Sequence, residues 1–188
     1  MKYLKKYNEN KYLSEDGKKF DCSNYNLKKL PPIPETVETL YCNNNRLEKL
    51  PELPKGLKEL QCDANVLKEL PSIPTVEIIF CDNNKLNELP ELPKGLEIIF
   101  CDNNNLNKLP ELPKRLKELY CYKNSLKELP RIPKGLEHLW CYDNNLKELP
   151  ELPKGLKELY CKNNNLTKLP ELPKGLERLG CFNNELKE

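Results

Sequence analysis

Nine cysteines set the frame of this chain: Cys22, Cys42, Cys62, Cys81, Cys101, Cys121, Cys141, Cys161 and Cys181 recur at intervals of twenty residues, with one interval of nineteen between Cys62 and Cys81. A fixed period of this length is the mark of a solenoid, in which each unit buries its apolar face against its neighbours. One unit reads Leu57-x-x-Leu60-x-Cys62-x-x-Asn65-x-Leu67-x-x-Leu70-Pro71-x-Ile73-Pro74. Leu60 and Cys62 lie two apart, which places them on one face of a short strand, with positions 59, 61 and 63 on the other. Leu67, Leu70 and Ile73 are three apart, and the paired prolines exclude a helix. An extended segment of the polyproline II type turns all three inward.

The rest of the chain follows from this unit. Residues 20–188 form nine units, the last one truncated after Leu186, and residues 1–19 stand outside the repeat. An N-terminal cap is expected there, because a solenoid needs its open end covered. Tyr3, Leu4 and Tyr7 suit one side of a short helix, and Asp16-Gly17 between two extended runs signals a two-residue hairpin. At the other end no cap is visible, so Leu179, Cys181 and Leu186 are expected to be partly bare. Glycine opens most units, yet Thr36 and Arg115 replace it, so the turn does not require a positive φ.

Two columns are expected to be structural. Cys42, Cys62, Cys81, Cys101, Cys121, Cys141 and Cys161 act as small buried apolar residues. A straight ladder of thiols flanked by leucine does not give the four converging ligands that zinc requires, so neither metal nor cofactor is expected. Asn45, Asn65, Asn84, Asn104, Asn124, Asn144 and Asn164 form a row at the turn leaving the strand, placed to bond the backbone of successive turns. Tyr25 breaks that row in the first unit. Nine is an odd number of cysteines, read as free thiols in a reducing, cytoplasmic compartment. The N-terminus has no Sec-type signal peptide, and no run approaches a membrane span. Net charge is +2 with signs interspersed, which leaves no electrostatic footprint for nucleic acid.

The residue before each cysteine faces away from the core by strand parity. That column contains Tyr41, Phe80, Phe100, Tyr120, Trp140 and Tyr160, flanked by Ile78, Ile98 and His138 on one side and Tyr122 and Tyr142 on the other. A long apolar stripe on the solvent side is expected to bind a partner. The alternative reading is that the aromatics stack and stabilise the sheet. Asp63, Asp82 and Asp102 fall on successive units beside it, either as a solvated acidic edge or as a group that orients a basic partner. No second histidine and no base beside a nucleophile supports an enzyme. The reading is a non-enzymatic protein-binding scaffold. Recognition of a glycan or peptide by the same face is the alternative.

The motif Leu-x-x-Leu-x-Cys-x-x-Asn-x-Leu-x-x-Leu-Pro-x-Leu-Pro resembles the leucine-rich repeat. Its length and the recurring Leu-Pro-Glu-Leu-Pro are similar to the short subclass found in type III secreted effectors of enteric pathogens. The Lys- and Asn-heavy composition resembles repeat proteins encoded by giant DNA viruses. The resemblance implies a right-handed curved solenoid with a concave parallel sheet of about nine short strands and few or no helices. It also implies a protein partner, a host protein for an effector. Some relatives carry a ubiquitin-ligase domain, for which such a repeat region selects the substrate. Cysteine in all nine units departs from the family's usual Val, Ile or Leu.

Overall fold

The computed structural model describes residues 10–73 and 75–187. The expected helix at Tyr3, Leu4 and Tyr7 lies outside the described residues. Nine strands of three residues each form one sheet in chain order: β1 Lys19–Asp21, β2 Thr39–Tyr41, β3 Glu59–Gln61, β4 Ile78–Phe80, β5 Ile98–Phe100, β6 Glu118–Tyr120, β7 His138–Trp140, β8 Glu158–Tyr160 and β9 Arg178–Gly180. Every neighbouring pair is parallel, and each register step matches equivalent positions of successive units, as in Phe100↔Tyr120 and Tyr120↔Trp140. The only helix among the described residues is a 3-10 turn at Asn10–Tyr12. The fold is the expected repeat solenoid.

Strand parity sorts the side chains. In β2 to β7 the central residue is buried and its two neighbours are half-buried. The cysteine that follows each strand turns back inward, and the first eight cysteines are buried. The return segments add their leucines to the same core: Leu67, Leu70 and Ile73 in one unit and Leu146, Leu149 and Leu152 in another are all buried. Each such side chain contributes about 1.5–3 kcal/mol of burial, which is how a chain of only 38% hydrophobic residues holds together.

Burial also governs the thiols. It pushes the Cys22 and Cys161 thiols up to about 12, and those of Cys81 and Cys141 well above the ordinary range. Thiolate is the reactive form, so this column is inert while folded. Cys181, in the last described unit, is only half-buried and so open to reagent. Maleimide labelling of the native protein is therefore expected to modify one thiol readily and all nine only in denaturant. Several rapid native adducts, counted by intact mass, would contradict the inward column.

The first and short units show how the ends and the irregular interval are accommodated. Gly17 N–H donates to the Ser14 carbonyl at 3.0 Å, with Glu15 and Asp16 at the turn centre and Gly17 at φ +72°. The expected two-residue Asp-Gly hairpin is thus a Ser14–Gly17 turn, with a single antiparallel bridge Leu13↔Phe20 beyond it. Asp16 is the reason: its carboxylate accepts from the Ser14 hydroxyl and the Lys18 N–H, which fixes it in the turn centre. In the nineteen-residue interval Thr75 stands in for the Lys-Gly pair, and its hydroxyl donates to the carbonyls of Lys55 and Leu57 on the preceding turn. At the far end Leu179 and Leu186 are exposed and Phe182 is 60% exposed.

Candidate functional site

The site rests on the turn that leaves each strand. Every ladder asparagine reaches back one unit. Asn144 accepts the Leu126 N–H at 2.9 Å and donates to the carbonyls of Cys121, Cys141 and Tyr142 at 3.0, 3.2 and 3.3 Å. Asn65 repeats the pattern with Leu47, Cys42, Cys62 and Asp63. The break at Tyr25 has a physical reason in this geometry. Half of an asparagine's bonds go to the unit before it, and the first unit has none. Tyr25 packs edge-on to Tyr12 at 5.0 Å instead, with the Lys11 ammonium over its ring.

On that scaffold the solvent side of the sheet carries a continuous aromatic row from β4 to β8. Phe80 stacks on Phe100 at 4.8 Å and Phe100 on Tyr120 at 4.0 Å, with interplanar angles of 12° and 10°. Trp140 meets Tyr120 and Tyr160 edge-on at 5.0 and 5.1 Å. Tyr122 and Tyr142 form a second stack at 4.3 Å. Tyr160 closes the row over Gly180, where an added Cβ would come within 2.7 Å of its ring. Tyr41 stands apart, because Gln61 occupies the position between it and Phe80. Ile78, Ile98 and His138 flank the row as expected from parity.

None of these residues is freely exposed; each is half-buried. Parity gives the face a side chain looks out from, but neighbours then cover it. Mutual stacking and solvent access therefore coexist, and each of these residues keeps part of its surface open.

Polar groups are arranged around the row. Glu158 is buried and receives Arg178 Nη1 at 2.6 Å and Trp140 Nε1 at 3.3 Å, with His138 Nδ1 at 3.6 Å. Tyr120 donates its hydroxyl to Glu118 at 2.9 Å, and Tyr41 to Glu59 at 3.2 Å. The aspartate column is different. Asp63 and Asp82 are half-buried, Asp102 is only 3% exposed, and Asp102 Oδ1 has no hydrogen-bond partner. At Asp102 that burial corrects the reading of the column as a solvated edge, while Asp63 and Asp82 keep part of their surface in solvent. Burial pushes the Asp63 and Asp102 carboxyls up to about 6, and Asp82 upward as well. Asp82 adds repulsion at both neighbours, while the facing Tyr122 hydroxyl and Lys123 pull Asp102 the other way.

Among the described residues no group of three His, Cys, Asp or Glu side chains is placed to hold a metal ion, and no helix is long and apolar enough to cross a membrane.

Comparison with known proteins places the chain. The family model "Leucine Rich repeats (2 copies)" matches residues 134–174. YopM from Yersinia enterocolitica superposes with a TM-score of 0.80 at 30% identity over 89% of this chain and 42% of that one. YopM from Yersinia pestis, a leucine-rich effector protein, gives 0.63 at 34% identity over 86% and 61%. The functional domain of InlJ from Listeria monocytogenes, which includes a cysteine ladder, gives 0.74 at 28% identity over 90% and 40%. This is a leucine-rich repeat protein. Its twenty-residue units are of the short, effector-like kind. The chain spans 40–61% of the length of these relatives. Among curated proteins, none matches the sequence.

As in the InlJ domain, the leucine-rich repeat core here carries cysteine in a ladder. Two features of the repeat escaped the sequence reading. One is a column in the left-handed region just before the ladder asparagines, from Asn44 at φ 52° to Asn183 at φ 53°. The runs of Asn were the available signal, since Asn tolerates that conformation. Ala64 and Lys123 also occupy it, both at φ 50°, without that tolerance. The other is the Glu158 cluster, for which no sequence signal distinguished a buried glutamate from the many exposed ones.

Proposed function

We propose that this leucine-rich repeat chain is a non-enzymatic scaffold that binds a protein partner on the solvent side of its sheet. The observation that carries this reading is the unbroken row Phe80, Phe100, Tyr120, Trp140 and Tyr160, half-buried and bordered by Ile78 and Ile98. Tyrosine and tryptophan bury large areas with few rotors and are the usual anchors of protein interfaces. Neighbouring stacks hold the rings in place before binding, which lowers the ordering cost on association. A parallel sheet of short strands spaced ~4.8 Å apart offers a broad surface suited to a protein and gives a small ligand little enclosure. Resemblance to bacterial effectors supports a partner in a host cell.

The test compares what three immobilised proteins capture from host-cell cytosol, quantified by mass spectrometry. These are the native chain, Trp140→Ala/Tyr120→Ala, and a Lys114→Glu/Lys134→Glu variant of the return-segment groove, whose lining includes both lysines. Proteins retained by the native chain and the groove variant are expected to be lost by the aromatic variant, with an affinity cost on the order of 2 kcal/mol or more. Retention by the aromatic variant together with loss by the groove variant would move the interface to the other side of the solenoid.

A further inference from the structure

The carboxylates on the solvent side of the sheet differ in their partners: Asp82 accepts from Asn83 Nδ2, whereas the buried Asp102 Oδ1 has none. Asp21, Glu59, Glu118 and Glu158 each accept a hydrogen bond from a neighbouring side chain. Glu158, the buried one, also has an arginine at 2.6 Å. Asp63, Asp82 and Asp102 have no Lys, Arg or His within ion-pair distance among the described residues, although they lie on three successive units in equivalent positions. Like charges on neighbouring strands repel, and a buried carboxylate oxygen without a partner is costly. Asn43, one unit earlier in the same column, shows that a neutral side chain fits there. Asn83 bonds Asp82 and the Tyr122 hydroxyl faces Asp102, yet Asp102 Oδ1 stays buried without a partner, and that residual deficit points to a missing cationic ligand.

We propose that the row Asp63, Asp82 and Asp102, closed at one end by Tyr122, receives an arginine side chain of the protein partner and releases it when the row is protonated. This rests on the binding reading above and names the chemistry of part of the same face. A guanidinium is a planar fork of five donors, able to reach carboxylates on neighbouring strands and to stack on a tyrosine ring. A metal ion fits less well, because the carboxylates stand in a line and no three of them converge. Burial sets the pH range: Asp63 and Asp102 are half-protonated near 6, with Asp82 raised between them. The groups facing the row are Tyr122, Tyr142, Lys123, Asn83 and the thiols Cys62, Cys81 and Cys101. Burial holds these phenols and thiols protonated well above neutrality, so the aspartates alone change charge between pH 5 and 7.5.

The probe is acetyl-tetra-arginine amide, titrated calorimetrically into the full chain at pH 7.5 and 5.0. Acetyl-tetra-lysine amide and calcium chloride serve as competitors. The arginine peptide is expected to bind at least tenfold more weakly at pH 5.0. The Asp63→Asn/Asp82→Asn/Asp102→Asn variant should show that weak level at both pH values, and Asp82→Asn alone an intermediate one should the triple variant fail to fold. Equal binding by native and variant chains, or no change with pH, would overturn the proposal. So would equal affinity for the lysine peptide, or displacement of the arginine peptide by submillimolar calcium. Trp140→Ala/Tyr120→Ala is expected to keep the peptide while losing the partner. Loss of peptide binding by the aspartate variant without loss of partner capture would sink only the arginine site, and partner capture retained by the aromatic variant would sink only the aromatic one.

Discussion

Asn144→Ala is expected to lower the unfolding free energy by about 2 kcal/mol, read as a shift in the urea midpoint. The substitution removes one acceptor and an amide that donates to three carbonyls, from a side chain that is 7% exposed. It leaves the Leu126 N–H without the partner it has at 2.9 Å, while the Cys121 carbonyl loses one donor and keeps Asn124 Nδ2 at 3.1 Å. Unpaired backbone groups in a dry turn carry the full desolvation cost. The loss falls on the contact between two units, and a solenoid is held by such nearest-neighbour contacts. A shift under about 0.5 kcal/mol, the usual size for a surface site, would mean that water replaces the amide and that the ladder is decorative.

Substitution of the aspartate row should act in the opposite direction. In the unfolded chain these carboxyls ionise near 3.8, whereas burial holds Asp63 and Asp102 at about 6 in the folded protein. Between those values the folded state binds more protons than the unfolded one, so stability falls as pH rises from 4 to 6, and the penalty is fully present at pH 7.5. For Asp102 the shift corresponds to at most about 3 kcal/mol, and screening at the more open Asp63 and Asp82 reduces theirs. Asp63→Asn/Asp82→Asn/Asp102→Asn is therefore expected to gain about 2–3 kcal/mol at pH 7.5 and close to nothing at pH 4. Thermal unfolding at the two pH values reads both arms. A variant less stable than the native chain at pH 7.5, or a gain independent of pH, would show that the aspartates are already compensated. A substitution that strengthens the fold and abolishes arginine binding would identify a group kept for recognition at the expense of stability.

The repeat made much of this legible before any coordinates. The cysteine period gave the number of turns, and the spacing Leu139-x-Cys141 gave the face from which Trp140 looks out. Leu67, Leu70 and Ile73 were placed in the core by a spacing of three. What stayed hidden was whatever depends on neighbouring units in three dimensions. Parity assigned Phe100 and Asp102 to the same side of the sheet, but not that the first would be shielded by stacking and the second nearly buried. The turn at Ser14–Gly17 was misread because the dipeptide rule ignores the Asp16 side chain, whose bonds to Ser14 and Lys18 decide the geometry. Glu158 looked like every other strand glutamate until Arg178 and Trp140 were seen to converge on it.

The most direct measurement of the binding face is hydroxyl-radical footprinting of the chain alone and in complex with the captured partner. Our account predicts that oxidation at Phe80, Phe100, Tyr120, Trp140 and Tyr160 falls several-fold on binding, while Leu112, Ile132 and Leu172 in the return segments are unchanged. Protection of those return-segment residues, with the aromatic row oxidised as readily as in the free protein, would contradict it.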